Sequence, residues 1–533
     1  MDGAPMNLTR AIAAAASRLF APRTRWQGAV AVGLLSAALI VPWLGRKDIL
    51  SADEGQRAYP PWEMLQSGDW LVPRLNGQPY LKKPPLLYWQ IAPLYRAAGV
   101  NEWTARLPSA LSGVALAIVV FLWASEFASL SAAAAAGVFT ACNALIIIKS
   151  RESQLDVPMT LFIAGAQWAN WRALQAMEAG RRGAWRPIFA AGLCLAIAHF
   201  YKFPIPYLFV MASWLGASML LRRWRWMASG LWWLALALSV APVAVWGWLA
   251  VRHAGWDWNR AAAYWGKEAA LRMGEVTEIN YGPPWFYLVL LIVCFIPWFL
   301  LYPALFTKAF ARAQSHRRLA FVYVASGAVG SLVILSLMRA KEGEYMLGAV
   351  PLLNILLALS WEWLAGQSRP GAVAAGTPAA EHKPGAPRPR WVVRCVPRWL
   401  LAGGVGLYAL AAWAVTPIYE GARNRKNSFR PIATQARALV DAGRRLILFD
   451  ADNPALLFYL RRRVEESWHE ENVAQRMKND PAAIVMTNEK GLAALQSLRA
   501  RDRHLAFHVL ARSSPQVGLV LAELRRPSPP SGP

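Results

Sequence analysis

The chain is 533 residues long, 56% hydrophobic and only 17% charged, with a mean hydropathy of +0.26. Soluble chains carry about 25% charged residues, and apolar runs of about 20 residues recur along most of this one; together these exclude disorder, a nucleic-acid-binding module and an ordinary soluble enzyme. The formal net charge of +26 comes from basic clusters between the apolar runs, as expected of cytoplasmic loops, and the 28 Trp suit membrane interfaces.

In chain order, apolar runs fall near 28–44, 105–124, 130–148, 157–173, 187–200, 204–221, 228–250, 285–305, 319–338, 346–366 and 392–418. They predict an α-helical polytopic membrane protein with about eleven spans, or about thirteen if short or oblique segments such as 84–99 are counted. The first run follows a basic N-terminus (Arg10, Arg18, Arg23, Arg25) and reads as an uncleaved span. The basic stretches at 172–186, 222–225, 308–318 and 367–398 alternate with the other loops. By the positive-inside rule the N-terminus is cytoplasmic, and 46–104, 149–156, 201–203, 252–284, 339–345 and 419–533 lie on the outer side. Residues 367–390, rich in Pro, Gly and Ala, predict a flexible cytoplasmic linker.

After Val415 the composition changes. Short apolar runs at 445–450, 456–459, 483–486 and 519–521 alternate with polar helical stretches, the pattern of a small α/β domain. The expected organisation is therefore a membrane domain over 1–420 and an outer α/β domain over 421–533. The cysteines (Cys142, Cys194, Cys294, Cys395) lie in or beside apolar runs and form no CxxC pair, so they read as apolar packers. His199 and His253 suggest no ligand cluster.

The chemistry concentrates in the outer loops. Asp53-Glu54 follows soon after the first span. Residues 54–67 predict helix with an apolar side (Tyr59, Trp62, Met64, Leu65) along the interface, broken or kinked at Pro60-Pro61, so that two short pieces are possible. Pro84-Pro85 then forces an extended entry into the next segment. A carboxylate pair at a helix end is often merely solvated, yet a general base acting at lipid headgroups needs that placement. Asp156, just ahead of Pro158, could equally be a helix cap. Lys202, in Phe200-Tyr201-Lys202-Phe203-Pro204, could simply snorkel, and 339–346 could be a plain turn. Convergence favours function: Asp53, Lys83, Asp156, Lys202, Lys341 and Tyr345 come from four loops that the topology assigns to one membrane face. Carboxylates for base chemistry and cations for phosphate are what transfer from a lipid phosphate requires.

Asp53-Glu54, the stretch Gly68-Asp69-Trp70-Leu71-Val72-Pro73 and Lys83-Pro84-Pro85-Leu86-Leu87-Tyr88-Trp89 resemble the first outer loop of the bacterial aminoarabinose transferases. These are GT-C glycosyltransferases of the protein O-mannosyltransferase superfamily. Leu155-Asp156, Tyr201-Lys202-Phe203-Pro204 and Ala340-Lys341 to Tyr345 resemble further family landmarks in the same order. The resemblance implies transfer of a sugar from undecaprenyl phosphate on the periplasmic face of the bacterial inner membrane, to lipid A or to another glycan or protein. It implies that Asp53, with Glu54 beside it, is the base or acceptor-positioning carboxylate, that Asp156 lines the same cavity, and that Lys83 and Tyr345 hold donor phosphate. Arg57, Lys202 and Lys341 are the further cations of the expected site.

Two positions depart from the family. Gln56 stands where an Arg is frequent, with Arg57 one residue later, and Lys82 stands where an acidic residue can serve a metal. The resemblance thus leaves a divalent metal open without supplying its ligands, and no other cofactor is implied. The expected partners are the polyprenyl-phosphate sugar, the acceptor and the bilayer, with no nucleic acid. A lipid or solute transporter is the alternative; transporters favour repeated halves and mid-membrane polar residues, whereas the charges here sit at helix ends on one face.

Overall fold

The computed structural model of the protein describes residues 22–273, 282–366, 397–498 and 506–525. Arg10, Arg18, Cys395, the expected 367–390 linker and part of the 252–284 loop lie outside the described residues. The chain divides into two compact units, one from 1–42, 81–87 and 107–414, the other from 43–80, 88–106 and 415–533.

The first unit is helical. Several of its helices start where short polar side chains take up the orphan N–H groups of the first turn: Thr24 accepts from Gln27, Ser129 from Ala132 and Ser229 from Trp232. The Val350–Leu364 helix is largely apolar and buried along almost its whole length, with its Glu362 paired to Arg317, so it forms the centre of the unit. The alanine-rich Leu130–Ala141 helix packs against it. Between apolar helices small side chains let backbones approach. At the crossing of Pro206–Leu220 with Arg318–Leu337, a Cβ on Gly327 would fall 1.9 Å from Ser213 Oγ. The Asp156–Glu178 and Trp185–His199 helices form an antiparallel pair, and the latter also packs on Gly230–His253.

Among the described residues, five helices are long and apolar enough to cross a membrane, or up to seven if two bent pairs each make one span. Arg25–Ile40 and Pro206–Leu220 are shorter apolar helices. The larger number expected from the sequence counted short segments, such as the 15-residue Trp185–His199 helix, as spans. The chain is a multi-pass α-helical membrane protein.

The second unit carries the α/β part. Its five-stranded sheet has the order β4-β3-β5-β7-β6, with β3 (Arg445–Phe449), β4 (Glu465–Ser467), β5 (Ala483–Asn488), β6 (Ala506–Arg512) and β7 (Leu519–Arg525). β3 runs parallel to β4 and β5, while β7 is antiparallel to β5 and β6. Ile447, Phe449, Val485, Leu495, Val520 and Ala522 fill its core. The expected helix over 54–67 is two pieces, Ala52–Ala58 and Pro60–Ser67, divided at Tyr59 before the two prolines. Of its expected apolar side, Tyr59 is fully enclosed and Met64 packs with Tyr80 and Tyr88, whereas Trp62 and Leu65 are half-buried. Gly55 faces the Pro454–Leu460 helix so closely that a Cβ would sit 2.2 Å from Ala455 N.

A small hairpin follows, β1 (Arg74–Leu75) and β2 (Gln78–Pro79), joined by Asn76-Gly77 with φ of 50° and 81°. Both turn residues take the left-handed conformation that a tight hairpin turn demands. The Asn76 amide docks on Val464 in both directions, Nδ2 donating to its carbonyl and Oδ1 accepting from its N–H, each at 2.8 Å.

Candidate functional site

In the first unit, the Asp156–Glu178 helix begins at a carboxylate. Asp156 is buried, and its Oδ1 accepts a hydrogen bond from Lys202 Nζ at 2.7 Å, with both side chains almost wholly enclosed. Lys202 lies just beyond the Trp185–His199 helix, which packs antiparallel to the helix of Asp156, so the hairpin brings residues 46 apart into contact. The Lys202 ammonium also lies 4.9 Å from the centre of the Tyr345 ring, within cation–π range. Tyr345 sits in the 3₁₀ turn Gly343–Ala349. Lys149 links the neighbouring loops, 3.1 Å from Glu344 and 3.5 Å from Glu152. Three of the expected site residues, Asp156, Lys202 and Tyr345, thus touch in one cluster.

Lys202 faces a cavity of about 660 Å³. Lys82 and Lys83 line the same cavity, and Trp246, Trp248, Trp258 and Trp265 form much of its wall. Trp265 donates its indole N–H to the Leu81 carbonyl at 3.0 Å, holding the Trp258–Met273 helix against the 81–84 segment. The indole wall was not foreseen, although the crowding of tryptophan over 246–258 signals it. Asp156 is absent from the cavity's lining and stands behind Lys202.

Lys341 has a different setting. Its ammonium donates to the carbonyls of Leu335 and Ser336, at 2.9 and 2.8 Å, and of Met338. These carbonyls belong to or follow the last turn of Arg318–Leu337, where helices leave acceptors unsatisfied. An ammonium has three N–H donors, and all three go to this helix end.

In the second unit, Ser51 caps the Ala52–Ala58 helix by accepting from Glu54 N. Adjacent helical residues point about 100° apart, so Asp53 and Glu54 cannot share a face. The Asp53 side chain is 62% exposed. Arg57, one turn on and buried, donates Nη1 to the Asp53 carbonyl at 2.6 Å and places Nη2 3.6 Å from its carboxylate. Glu54 is buried, and its Oε1 accepts from Arg106 Nε at 2.7 Å. Arg106 also donates to the carbonyls of Leu44, Lys47 and Asp48, tying that turn to the Glu102–Ala124 helix. Its clue in the sequence was one arginine inside the apolar run 105–124. Among the described residues, no group of three His, Cys, Asp or Glu is arranged to hold a metal. His199 is buried with Nδ1 3.2 Å from the Ser239 carbonyl.

The comparisons with known proteins agree on one relationship. Residues 82–248 match the family described as dolichyl-phosphate-mannose-protein mannosyltransferase. That segment holds Lys83, Asp156, Lys202 and most of the cavity's lining. The chain is 28% identical to the undecaprenyl phosphate-alpha-4-amino-4-deoxy-L-arabinose arabinosyl transferase of Pseudomonas savastanoi pv. phaseolicola, over 62% of this chain and 60% of that one. It is also 28% identical to such a transferase of Sodalis glossinidius, over 59% of this chain and 56% of the other. The chain resembles the bacterial aminoarabinose transferases. It spans somewhat over half the length of these relatives. Crystal structures of ArnT from Cupriavidus metallidurans, one bound to undecaprenyl phosphate and one in the apo state, each superpose with a TM-score of 0.67. The identities are 19% and 17%, and the bound structure covers 93% of this chain and 97% of its own. The fold is therefore that of ArnT. None of these relatives is a transporter.

Proposed function

We propose that the protein is an integral-membrane glycosyltransferase that moves a sugar from a polyprenyl-phosphate donor to lipid A or to another glycan or protein hydroxyl. The site faces the periplasm of a bacterial inner membrane. The observation that carries this reading is the cavity that combines Lys82, Lys83 and Lys202 with a tryptophan wall. Cations suit a lipid phosphate, while indoles accept an apolar chain and the faces of a sugar.

In the reaction the bond between sugar C1 and the phosphate oxygen breaks as an acceptor oxygen bonds to C1. The electron pair leaves with the polyprenyl phosphate, where Lys83 and Lys202 stabilise the growing negative charge. Asp156 is a positioning residue that fixes the Lys202 ammonium. The Tyr345 ring lies against that ammonium. Asp53, exposed and ordered by Arg57, is assigned to the acceptor; it takes the proton of an attacking hydroxyl or orients an acceptor that is already ionised. Glu54 and Lys341 belong to the scaffold, because Arg106 and a helix C-terminus occupy them. The work is electrostatic and positional.

The decisive experiment incubates purified protein with polyprenyl-phosphate sugars and with nucleotide sugars, and follows transfer to lipid A and to peptide acceptors. Transfer from the lipid-linked sugars alone is expected. Transfer from a nucleotide sugar without any polyprenyl lipid would overturn the reading.

A further inference from the structure

A second cavity, of about 710 Å³, lies between the Glu102–Ala124, Asp156–Glu178 and Trp185–His199 helices. Its walls are apolar, among them Val119, Leu161, Phe162 and Ala190. Two arginines, Arg172 and Arg186, stand in its lining. Phe189 and Leu193, on the helix that carries Arg186, are exposed, as side chains turned toward hydrocarbon are.

Arg172 is held in place. It stacks over Trp168 with the guanidinium 4.6 Å from the ring centre, and Glu126 accepts from its Nε at 2.7 Å and from Trp168 Nε1 at 2.8 Å. Glu126 offsets one positive charge. Arg186 is exposed and leans over Trp185 at 5.5 Å, and Arg181 and Arg182 stand exposed in the preceding turn. The net charge around this end is therefore positive. Asp156 and Arg172 share one helix and lie about 24 Å apart along its axis at 1.5 Å per residue. A hydrocarbon core is about 30 Å thick, so the arginines stand near the membrane face opposite the Asp156–Lys202 pair.

We propose that this groove binds an anionic glycerophospholipid of the leaflet opposite the catalytic cavity. One acyl chain lies between the three helices, and the phosphate meets Arg186 and Arg172. The charge complementarity and the apolar walls choose this occupant: a free phosphate has no use for the groove's length, and a zwitterionic lipid brings its own cation, which offsets its phosphate's attraction to the arginines. The site is independent of the sugar transfer proposed above.

The test uses the full chain purified in detergent, with native mass spectrometry after addition of phosphatidylglycerol or phosphatidylcholine of identical acyl chains. The parent is expected to retain phosphatidylglycerol preferentially. Arg186→Glu is expected to lower that retention by about fivefold or more, since each basic residue near a lipid surface contributes about fivefold and the variant also adds a repelling charge. Ala190→Trp, at an exposed lining position, fills the groove and should remove bound lipid of both kinds. Equal retention of the two lipids by the parent would overturn the proposal. So would unchanged phosphatidylglycerol retention in both variants when their melting temperatures match the parent's.

Discussion

Asp53 and Glu54 are neighbours of the same charge, and the structure predicts opposite consequences for their replacement. Glu54 and Arg106 form a 2.7 Å pair whose side chains are 2% and 0% exposed. Solvent screening is minimal at that burial, so Glu54→Gln leaves a guanidinium enclosed without its counter-charge. Breaking a buried pair from one side costs about 3–5 kcal/mol. The glutamine keeps an acceptor oxygen and Arg106 keeps its three carbonyl partners, which sets the cost near the lower end, about 3 kcal/mol. For a unit of 150–250 residues this lowers Tm by about 6–12 °C. Asp53→Asn alters an exposed carboxylate 3.6 Å from Arg57 and should move Tm by about 1 °C or less. The assay pairs thermal unfolding in detergent with initial rates of transfer from a polyprenyl-phosphate sugar, measured well below either Tm. Asp53→Asn should fold normally and lose transfer; Glu54→Gln should melt early and retain transfer while folded. Parent-like melting of Glu54→Gln would refute the scaffold assignment, and parent-like turnover of Asp53→Asn would remove Asp53 from the mechanism.

Lys202→Met should destabilise the first unit by about 3 kcal/mol, because Asp156 stays buried without its cation. Adding Asp156→Leu should restore most of the Tm but none of the transfer; recovery of activity in the double variant would show that the pair is only structural. Lys83→Gln should raise the donor KM by about tenfold to a hundredfold, the worth of one hydrogen bond to a charged group, with little change in Tm; an unchanged KM for a series of lipid donors would move the phosphate elsewhere. In the second unit, burial pushes the Asp48 carboxyl above its ordinary value, partly offset by the hydrogen bond from Ser428 and the charge of Arg430. A carboxyl raised by folding binds its proton more readily in the folded state, so its contribution is fully present below the ordinary value and is lost as pH rises through the folded one. The Tm of the parent minus that of Asp48→Asn should therefore grow as pH falls from neutral toward about 4; a shrinking difference would contradict the burial of that charge.

Lys341 illustrates how far local pattern reaches. A lysine just after an apolar run, beside a tyrosine, has the same local signature whether it waits for a phosphate or closes a helix end. Here the backbone brings its ammonium to three orphan carbonyls, and that geometry exists only once the chain turns after Met338. The Asn76-Gly77 hairpin shows the reverse case: its turn signal was present in the sequence, but the strands are only two residues long and leave no hydrophobic alternation to read.

The sequence by itself determined the membrane class, an interruption of the loop-one helix at the two prolines and the α/β character of the C-terminal region. Each follows from short-range physics: apolar length, proline geometry and strand-length alternation. The tertiary structure alone decided which charge meets which. Asp156 finds Lys202 only because two helices pack antiparallel, and Glu54 turns inward to Arg106 while Asp53 turns out because successive helical residues diverge by about 100°. Charge neutralisation in a buried site depends on distances of a few ångströms between segments far apart in the chain, and no spacing along the sequence encodes them.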